Sequence, residues 1–241
     1  DPDHPGNEIP FYEFFQRYEL SRSDYKALMA YARTLNIPLF STPFDDASLE
    51  LLVELGMPAV KIASPDLTYT PFLEKVAATG LPVVLSTGMA NDEEIGVALH
   101  ALRNAQSTLL LHCVSNYPSR YEEMNLGCMA GMSHQFKLPV GLSDHTLDNL
   151  SAMVAASLGA VLIEKHFTLD RNLPGVDQSI SMQPDDLRKL KADILNVAKI
   201  LGKGTKQIQK SEIPVRQSAR RSLVARVDIP AGKPLDSAML A

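Results

Sequence analysis

The chain has 241 residues, of which 45% are hydrophobic and 21% are charged, and its net charge is −5. This is ordinary globular composition and is enough for one large α/β domain. Acidic and basic residues are mixed without a basic stripe, so we expect no nucleic acid partner. No apolar run reaches the roughly 18 residues of a membrane-spanning helix, and no signal-peptide pattern occurs, so we expect no membrane partner. The two cysteines, Cys113 and Cys128, fit neither a disulfide framework nor a zinc motif, which favours a cytoplasmic location.

Helical and strand patterns alternate along most of the sequence. A short helix or loop is predicted at 11–20, and longer helices are predicted at 21–36, 46–55, 70–79, 92–104, 124–136, 152–160 and 184–201. Strands are predicted at 37–44, 59–64, 81–87, 107–114, 140–146 and 161–168. This strand–helix rhythm, repeated six times, indicates an α/β fold with a parallel sheet.

The strands are continuous apolar runs, as expected for strands that are buried on both faces. Polar residues follow nearly every strand, and polar ends on all strands fit a closed barrel better than a doubly wound sheet. We therefore predict a TIM (β/α)8 barrel with six of its eight strands present. No glycine-rich dinucleotide or Walker-type loop occurs, which argues against those nucleotide sites.

Two histidines lie in the polar ends of consecutive predicted strands, His145 in 140–146 and His166 in 161–168. Neighbouring strands lie about 4.8 Å apart, so both imidazoles can face one metal ion at the carboxyl edge of the sheet. A single histidine at a strand end is more often a hydrogen-bonded structural residue. The equivalent placement of two histidines favours the metal site.

Lys61 lies inside an apolar strand, where a cation is costly unless an anion meets it. Hydroxyl residues follow the same and neighbouring strands: Thr42, Ser64, Ser86, Thr87 and Ser143. A lysine surrounded by hydroxyl donors suits a phosphate or a carboxylate, whereas the structural alternative is a lysine that snorkels from the barrel end. Asp66 and Asp177 add carboxylates near the same mouth, and Asp177, in a rigid loop, could hold sugar hydroxyls.

The composition changes after Gly204. We predict a catalytic domain at 1–204, a polar and basic linker at 205–221, and a second, small β-rich domain that begins at 222. A strand is predicted at 222–229, and a turn follows it at 230–233.

Seven motifs in a fixed order carry a resemblance to a known family. They are FSTPF at 40–44, KIAS at 61–64, LSTGM at 85–89, LHCVSNYP at 111–118, GLSDHT at 141–146, EKHFT at 164–168 and PGVD at 174–177. From about residue 20 to its end, the chain resembles the sialic acid synthase family, which includes N-acetylneuraminate, legionaminate and pseudaminate synthases. The run SLVARVDIPAG at 222–232 resembles the start of the antifreeze-like (SAF) domain of that family.

The resemblance implies a TIM barrel that condenses phosphoenolpyruvate with an N-acylated hexosamine, N-acetylmannosamine or a diacetamido relative. It implies that His145 and His166 hold a divalent metal, most often Mn²⁺, with Mg²⁺ or Co²⁺ as alternatives. The residues implied for phosphoenolpyruvate are Thr42, Lys61, Ser64, Ser86, Ser115 and Ser143. Tyr117 and Asp177 are implied to meet the sugar. Asp66 takes the place of an acid near the metal-bound water, although Ser-Pro-Asp at 64–66 departs from the common Ser-Gly-acid.

Compared with the family, the first two barrel strands and most of the SAF domain are missing from this sequence. We therefore expect a truncated chain that is inactive and poorly soluble alone, whereas the full-length protein is expected to form a domain-swapped homodimer. Two alternatives remain open at this stage. One is another phosphoenolpyruvate-dependent aldol-type synthase or a metal aldolase on the same barrel, and the other is a non-catalytic remnant that acts as a scaffold.

Overall fold

A computed structural model describes residues 10–241, so the predicted start of the first domain at residue 1 lies outside the described residues. The chain divides into two compact units, one that runs to Leu201 and one at 202–241. Between residues 10 and 241, no helix is both long and apolar enough to cross a membrane.

The first unit contains one parallel sheet, whose strands are paired in sequence order β1-β2-β3-β4-β5. The strands are β1 (Val60–Ile62), β2 (Val83–Ser86), β3 (Thr108–Cys113), β4 (Val140–Asp144) and β5 (Ile163–Lys165). Every pair is parallel, so all the carboxyl ends lie at one edge of the sheet. The parallel α/β class is confirmed, and five predicted strands form, each shorter than its predicted range.

Nine α-helices form within the described residues, eight in the first unit and one, α9, in the second. They are α1 (Phe11–Gln16), α2 (Arg22–Thr34), α3 (Asp46–Glu54), α4 (Thr70–Ala78), α5 (Asp92–Ala101), α6 (Cys128–Phe136), α7 (Leu150–Ser157), α8 (Pro184–Leu201) and α9 (Ile213–Ala219). A 3-10 turn at Ser64–Asp66 follows β1 directly. The predicted bounds of α8 are confirmed.

Local hydrogen bonds explain where several helices begin. Ser21 caps α2 and forms a capping box with Asp24, so two orphan backbone donors are satisfied together. Asn91 and Glu94 form the same arrangement at α5. The helix begins at Asp92, as predicted, and Asn91 caps it, because the side chain of Asn91 accepts the hydrogen bond from the backbone of Glu94.

The core of the first unit lies between the sheet and its helices. Four strand side chains are fully buried and pack in one cluster with side chains of α4 and α5: Val60, Ile62, Leu85 and Leu110. Burial on both faces explains why these strands read as continuous apolar runs. The same packing fixes the strand ends, where the polar residues lie.

The predicted strand at 37–44 does not form. Only Ser41 makes a bridge to the sheet, opposite Val60, and its carbonyl accepts the Lys61 N–H at 3.1 Å. Pro38 and Pro43 flank this bridge, and neither can donate a backbone hydrogen bond to a ladder. The prediction of six strands is wrong for this reason, since the described residues form five.

The second unit, at 202–241, has little regular structure of the predicted kind. The range 205–221, predicted as a linker, contains a 3-10 turn at Lys210–Glu212 and the helix α9. The predicted strand at 222–229 is reduced to an antiparallel bridge between Ala225 and Leu240. The turn predicted at 230–233 is confirmed, because the Lys233 N–H donates to the Pro230 carbonyl at 3.2 Å.

Candidate functional site

A cavity of about 290 Å³ opens at the carboxyl ends of the strands. Its wall combines hydroxyls, two histidines, two lysines, a carboxylate and a thiol with a few apolar side chains. The lining residues are Thr42, Phe44, Lys61, Ala63, Ser64, Pro65, Ser86, Cys113, Tyr117, Ser143, His145, Glu164, Lys165 and His166. The sheet edge predicted to carry the site is thus the edge where a concave, polar cavity forms.

His145 and His166 lie side by side in this cavity. Their ring centroids are 5.4 Å apart, and the ring planes are tilted by 52°. Tyr117 covers both rings, with its centroid 4.1 Å from that of His145 and 5.8 Å from that of His166. The loop after β3 therefore places an aromatic face directly beside the two imidazoles.

The protonation of His145 is set by its neighbours. Its Nδ1 lies 2.9 Å from the Val114 carbonyl, which can only accept, so Nδ1 carries the proton and Nε2 keeps its lone pair. Burial acts to lower the pKa of His145. Hydrogen bonding to Cys113 and to the Val114 carbonyl outweighs burial, and the pKa is raised.

His166 has a different environment. Burial lowers its pKa, and the nearby His145 acts in the same direction, while the Asp177 carboxylate opposes them. The Asp177 Oδ2 lies 3.5 Å from the His166 Nδ1. The lowered pKa keeps this imidazole neutral near pH 7, as a metal ligand must be.

Lys61 also lines the cavity and is buried, with 7% of its surface exposed. Its ammonium donates to the Ser86 Oγ at 2.7 Å and to the Ile62 carbonyl at 3.0 Å, and Glu164 lies 3.6 Å away. Burial lowers the pKa of Lys61, although the Glu164 carboxylate opposes this. This lysine does not snorkel into solvent, because its charged end is enclosed by the site.

Glu164 and Cys113 are site residues that the sequence reasoning missed. Ser143, the register partner of Glu164, donates to its Oε1 at 2.7 Å. Burial acts to raise the pKa of the Cys113 thiol, but hydrogen bonds with His145 and Ser64 outweigh this, and the pKa is lowered. The strand alternation that places Ser143 in the cavity could have identified Glu164.

Ser64 and Ser115 meet at the backbone of Gly88. The Gly88 N–H donates to the Ser64 Oγ at 3.0 Å. A Cβ on Gly88 would lie 2.2 Å from the Ser115 Oγ and 2.8 Å from the Ser64 Oγ, so a side chain is excluded here. The absence of a side chain lets two predicted site hydroxyls approach one backbone amide.

Three predicted site residues are not part of the cavity wall: Asp66, Ser115 and Asp177. The Ser115 Oγ lies close to Gly88, and the Asp177 carboxylate lies next to the His166 ring. Asp66, in the 3-10 turn after β1, has a buried Oδ2 without a hydrogen-bond partner, and burial raises its pKa. The structure therefore brings together Thr42, Lys61, Ser64, Ser86, Tyr117, Ser143, His145 and His166.

No group of three or more His, Cys, Asp or Glu side chains is arranged for a metal ion within residues 10–241. The two histidines remain as a donor pair, because the fixed Nδ1–H of His145 leaves Nε2 available as a ligand. Two nitrogen donors are fewer than the three protein ligands usual at a catalytic zinc site, so most coordination positions of a bound ion would be left to water or substrate oxygens.

The NeuB family model matches residues 2–206 of the chain. The chain is 42% identical to N,N'-diacetyllegionaminic acid synthase of Campylobacter jejuni, an alignment that covers 95% of this chain and 70% of the relative. It is 40% identical to the enzyme of the same name from Legionella pneumophila, over 92% of this chain and 64% of the relative. The chain thus spans about two thirds of the length of these relatives.

A solved structure shows a similar fold. The chain superposes on N-acetylneuraminic acid synthetase from Leptospira borgpetersenii, crystallised in complex with citrate, with a TM-score of 0.76 and 38% identity. The match covers 85% of this chain and 73% of that chain. The predicted α/β barrel fold is confirmed by this likeness.

Proposed function

This chain belongs to the NeuB family, and on that premise we propose that it carries the catalytic barrel of a nonulosonic acid synthase. In the proposed reaction, phosphoenolpyruvate condenses with an N-acylated hexosamine, N-acetylmannosamine or a diacetamido relative, and phosphate is released. The names of the relatives favour a diacetamido sugar.

One observation carries the proposal: a buried ammonium and a pair of histidines open into the same cavity. Lys61 contributes the positive charge, and His145 and His166 line the same cavity. The volume of about 290 Å³ is at the lower end of small-molecule sites. A site that combines a cation with two metal-ligand side chains suits an anionic substrate beside a second, polar one.

Phosphoenolpyruvate is proposed to bind at the Lys61 side. Its phosphate and carboxylate oxygens would accept hydrogen bonds from the ammonium and from the hydroxyls of Thr42, Ser64, Ser86 and Ser143, with Ser115 nearby. Charge-assisted hydrogen bonds of this kind are roughly twice as strong as neutral ones. The substrate would then compete for the Lys61 charge with Glu164, whose Oε2 lies 3.6 Å from the ammonium.

The sugar is proposed to bind beside the histidines. The ring of Tyr117 lies over both imidazoles and would pack on the apolar face of the hexosamine. Asp177, 3.5 Å from His166, would accept hydrogen bonds from sugar hydroxyls. These contacts would hold the open-chain aldehyde near the phosphoenolpyruvate.

His145 and His166 would hold the divalent metal, for which Mn²⁺ is proposed and Mg²⁺ or Co²⁺ are alternatives. A bound divalent ion supplies Lewis-acid polarisation of a carbonyl oxygen. The donor pair fits on geometry, because the two rings lie 5.4 Å apart and the Val114 carbonyl holds the Nδ1 side of His145, which leaves its Nε2 as the ligand atom once the ring is neutral. Asp66 is proposed as the acid near the water at this site, and its raised pKa suits a carboxyl that keeps its proton.

The proposed steps balance without a further cofactor. The C3 carbon of phosphoenolpyruvate forms a bond to the aldehyde carbon of the sugar, whose oxygen becomes a hydroxyl. Water adds at C2, one of its protons goes to the former aldehyde oxygen, and the other leaves with the phosphate when the C2–O bond to phosphate breaks. The cavity is proposed to bind and orient both substrates so that the reacting carbons meet.

The test is phosphate release by the full-length polypeptide with both substrates and Mn²⁺, with the product identified by mass spectrometry. We expect equal amounts of phosphate and nonulosonic acid, and none of either when one substrate is omitted. Phosphate release with a different aldose acceptor would favour another aldol-type synthase. No release with any acceptor would favour the scaffold alternative. The cytoplasmic location and the domain-swapped dimer stay predictions.

A further inference from the structure

We propose that the buried ion pair between Asp144 and Lys165 positions the two histidines, so that both members of the pair are positioning residues. The inference rests on the proposed function, because it assigns these residues a role toward the proposed metal site. Neither residue is part of the predicted site.

Asp144 and Lys165 are neighbours in the sheet and carry opposite charges. Asp144 ends β4 and Lys165 ends β5, and they are register partners in the parallel ladder. The Lys165 Nζ lies 2.7 Å from the Asp144 Oδ2, and the side chains are 5% and 0% exposed. Each residue immediately precedes one histidine, so the pair joins the two strands one position before His145 and His166.

The ammonium of Lys165 also holds the loop that follows β4. It donates to the Thr146 carbonyl at 2.9 Å and to the Asp148 carbonyl at 2.8 Å. With the bond to Asp144, these contacts use all three of its hydrogens. A lysine on β5 therefore binds the backbone on the far side of His145.

The second oxygen of Asp144 acts on the same loop. Its Oδ1 accepts from the Thr146 N–H at 2.9 Å and from the Thr146 Oγ1 at 2.8 Å. His145 is thus enclosed between two residues that are hydrogen bonded to each other. The backbone on both sides of this histidine is fixed, and the Val114 carbonyl then orients its ring.

The charged pair makes hydrogen bonds to the loop that an apolar pair of the same size cannot make. Two well-packed apolar side chains in place of a buried ion pair often leave a fold as stable as before. They would, however, leave the carbonyls of Thr146 and Asp148 and the Thr146 N–H without partners, so the loop would lose its link to β5. The pair is therefore suited to fixing geometry more than to stabilising the fold.

The test compares the full-length polypeptide with its double variant Asp144→Leu/Lys165→Met, in which both charges are replaced together. Two readouts are used: Mn²⁺ binding followed by electron paramagnetic resonance, and hydrogen–deuterium exchange of amides 145–148. We expect a 10- to 100-fold weaker Mn²⁺ affinity, which is the usual effect of removing a group that supports a metal ligand. We also expect faster exchange at 145–148 with unchanged exchange in β3.

A matched control removes another ion pair of the first unit with the same substitutions. Arg22→Met/Glu54→Leu removes an exposed pair with a separation of 2.6 Å, neither member of which lines the cavity. This variant should bind Mn²⁺ as the wild type does. If the double variant at 144 and 165 does not fold, Thr146→Val removes one hydrogen bond to Asp144 and should weaken Mn²⁺ binding several-fold.

The outcomes separate the inference from the function on which it rests. A folded variant with wild-type Mn²⁺ affinity, or with unchanged exchange at 145–148, would overturn the inference. If the wild type itself binds no Mn²⁺, the proposed metal site is wrong. The exchange of amides 145–148 then decides by itself whether the pair holds this loop.

Discussion

Lys61 and Ser86 are joined by a 2.7 Å hydrogen bond that links the carboxyl ends of β1 and β2. Both residues are buried and line the cavity, so the ammonium group of Lys61 is held inside it. Burial of a cation is costly unless an anion meets it. The bond therefore holds a charge at a buried position, where it contributes little to the stability of the fold. The same charge would contribute much to the binding of an anionic substrate.

The substitution Lys61→Met should weaken phosphoenolpyruvate binding while sparing the fold. A hydrogen bond to a charged group contributes about 1.5–3 kcal/mol, so KM for phosphoenolpyruvate should rise tenfold or more, with a much smaller change in KM for the sugar. Steady-state kinetics of the full-length polypeptide measure both constants. Lys75→Met, which removes an exposed lysine paired with Asp46, is the control. A change in thermal stability alone would mean that Lys61 is structural.

The histidine pair should control metal affinity. His145→Ala and His166→Ala should each bind Mn²⁺ at least tenfold more weakly, because each removes one of the two proposed ligands. Calorimetric titration measures the affinity, and circular dichroism checks the fold. His100→Ala, at an exposed position of α5, should leave the affinity unchanged. Full turnover after exhaustive chelation would contradict metal dependence.

Gly88 should not tolerate a side chain. In Gly88→Ala, the new Cβ would lie 2.2 Å from the Ser115 Oγ and would displace it, so KM for phosphoenolpyruvate should rise and thermal stability should fall. The control is Gly96→Ala in α5, where a Cβ meets nothing within 4 Å. Helix propensity favours alanine there by roughly 0.5–1 kcal/mol, so this variant should be slightly more stable. If Gly88→Ala and Gly96→Ala changed KM and thermal stability equally, the close packing at Gly88 would be contradicted.

Asp177 should raise the pKa of His166. Burial already holds this pKa below its ordinary value of 6.5, and the Asp177 carboxylate opposes that effect. Since removing a nearby negative charge disfavours the imidazolium, Asp177→Asn should lower the pKa further. Titration of the His166 ring proton by NMR in metal-free protein measures the shift. An unchanged or higher pKa in Asp177→Asn would show that the two groups do not interact.

Some features of the site could be predicted because they depend on strand order alone. Once Lys61, Ser86, Ser143 and the histidines were placed at the carboxyl ends of parallel strands, their proximity followed from the geometry of any parallel sheet. Glu164 was missed, although strand alternation places it on the same face as His166, two residues later. Its contact with Ser143 depends on the register between β4 and β5.

The sequence by itself determined the helix starts, the apolar strands and the polar residues that follow them. These features depend on side chains within a few residues of each other, such as Ser21 with Asp24. Only the tertiary structure decided that 37–44 contributes a single bridge and that Asp144 pairs with Lys165. Strand pairing and register are fixed by hydrogen bonds and burial between segments far apart in the chain, which no local pattern contains.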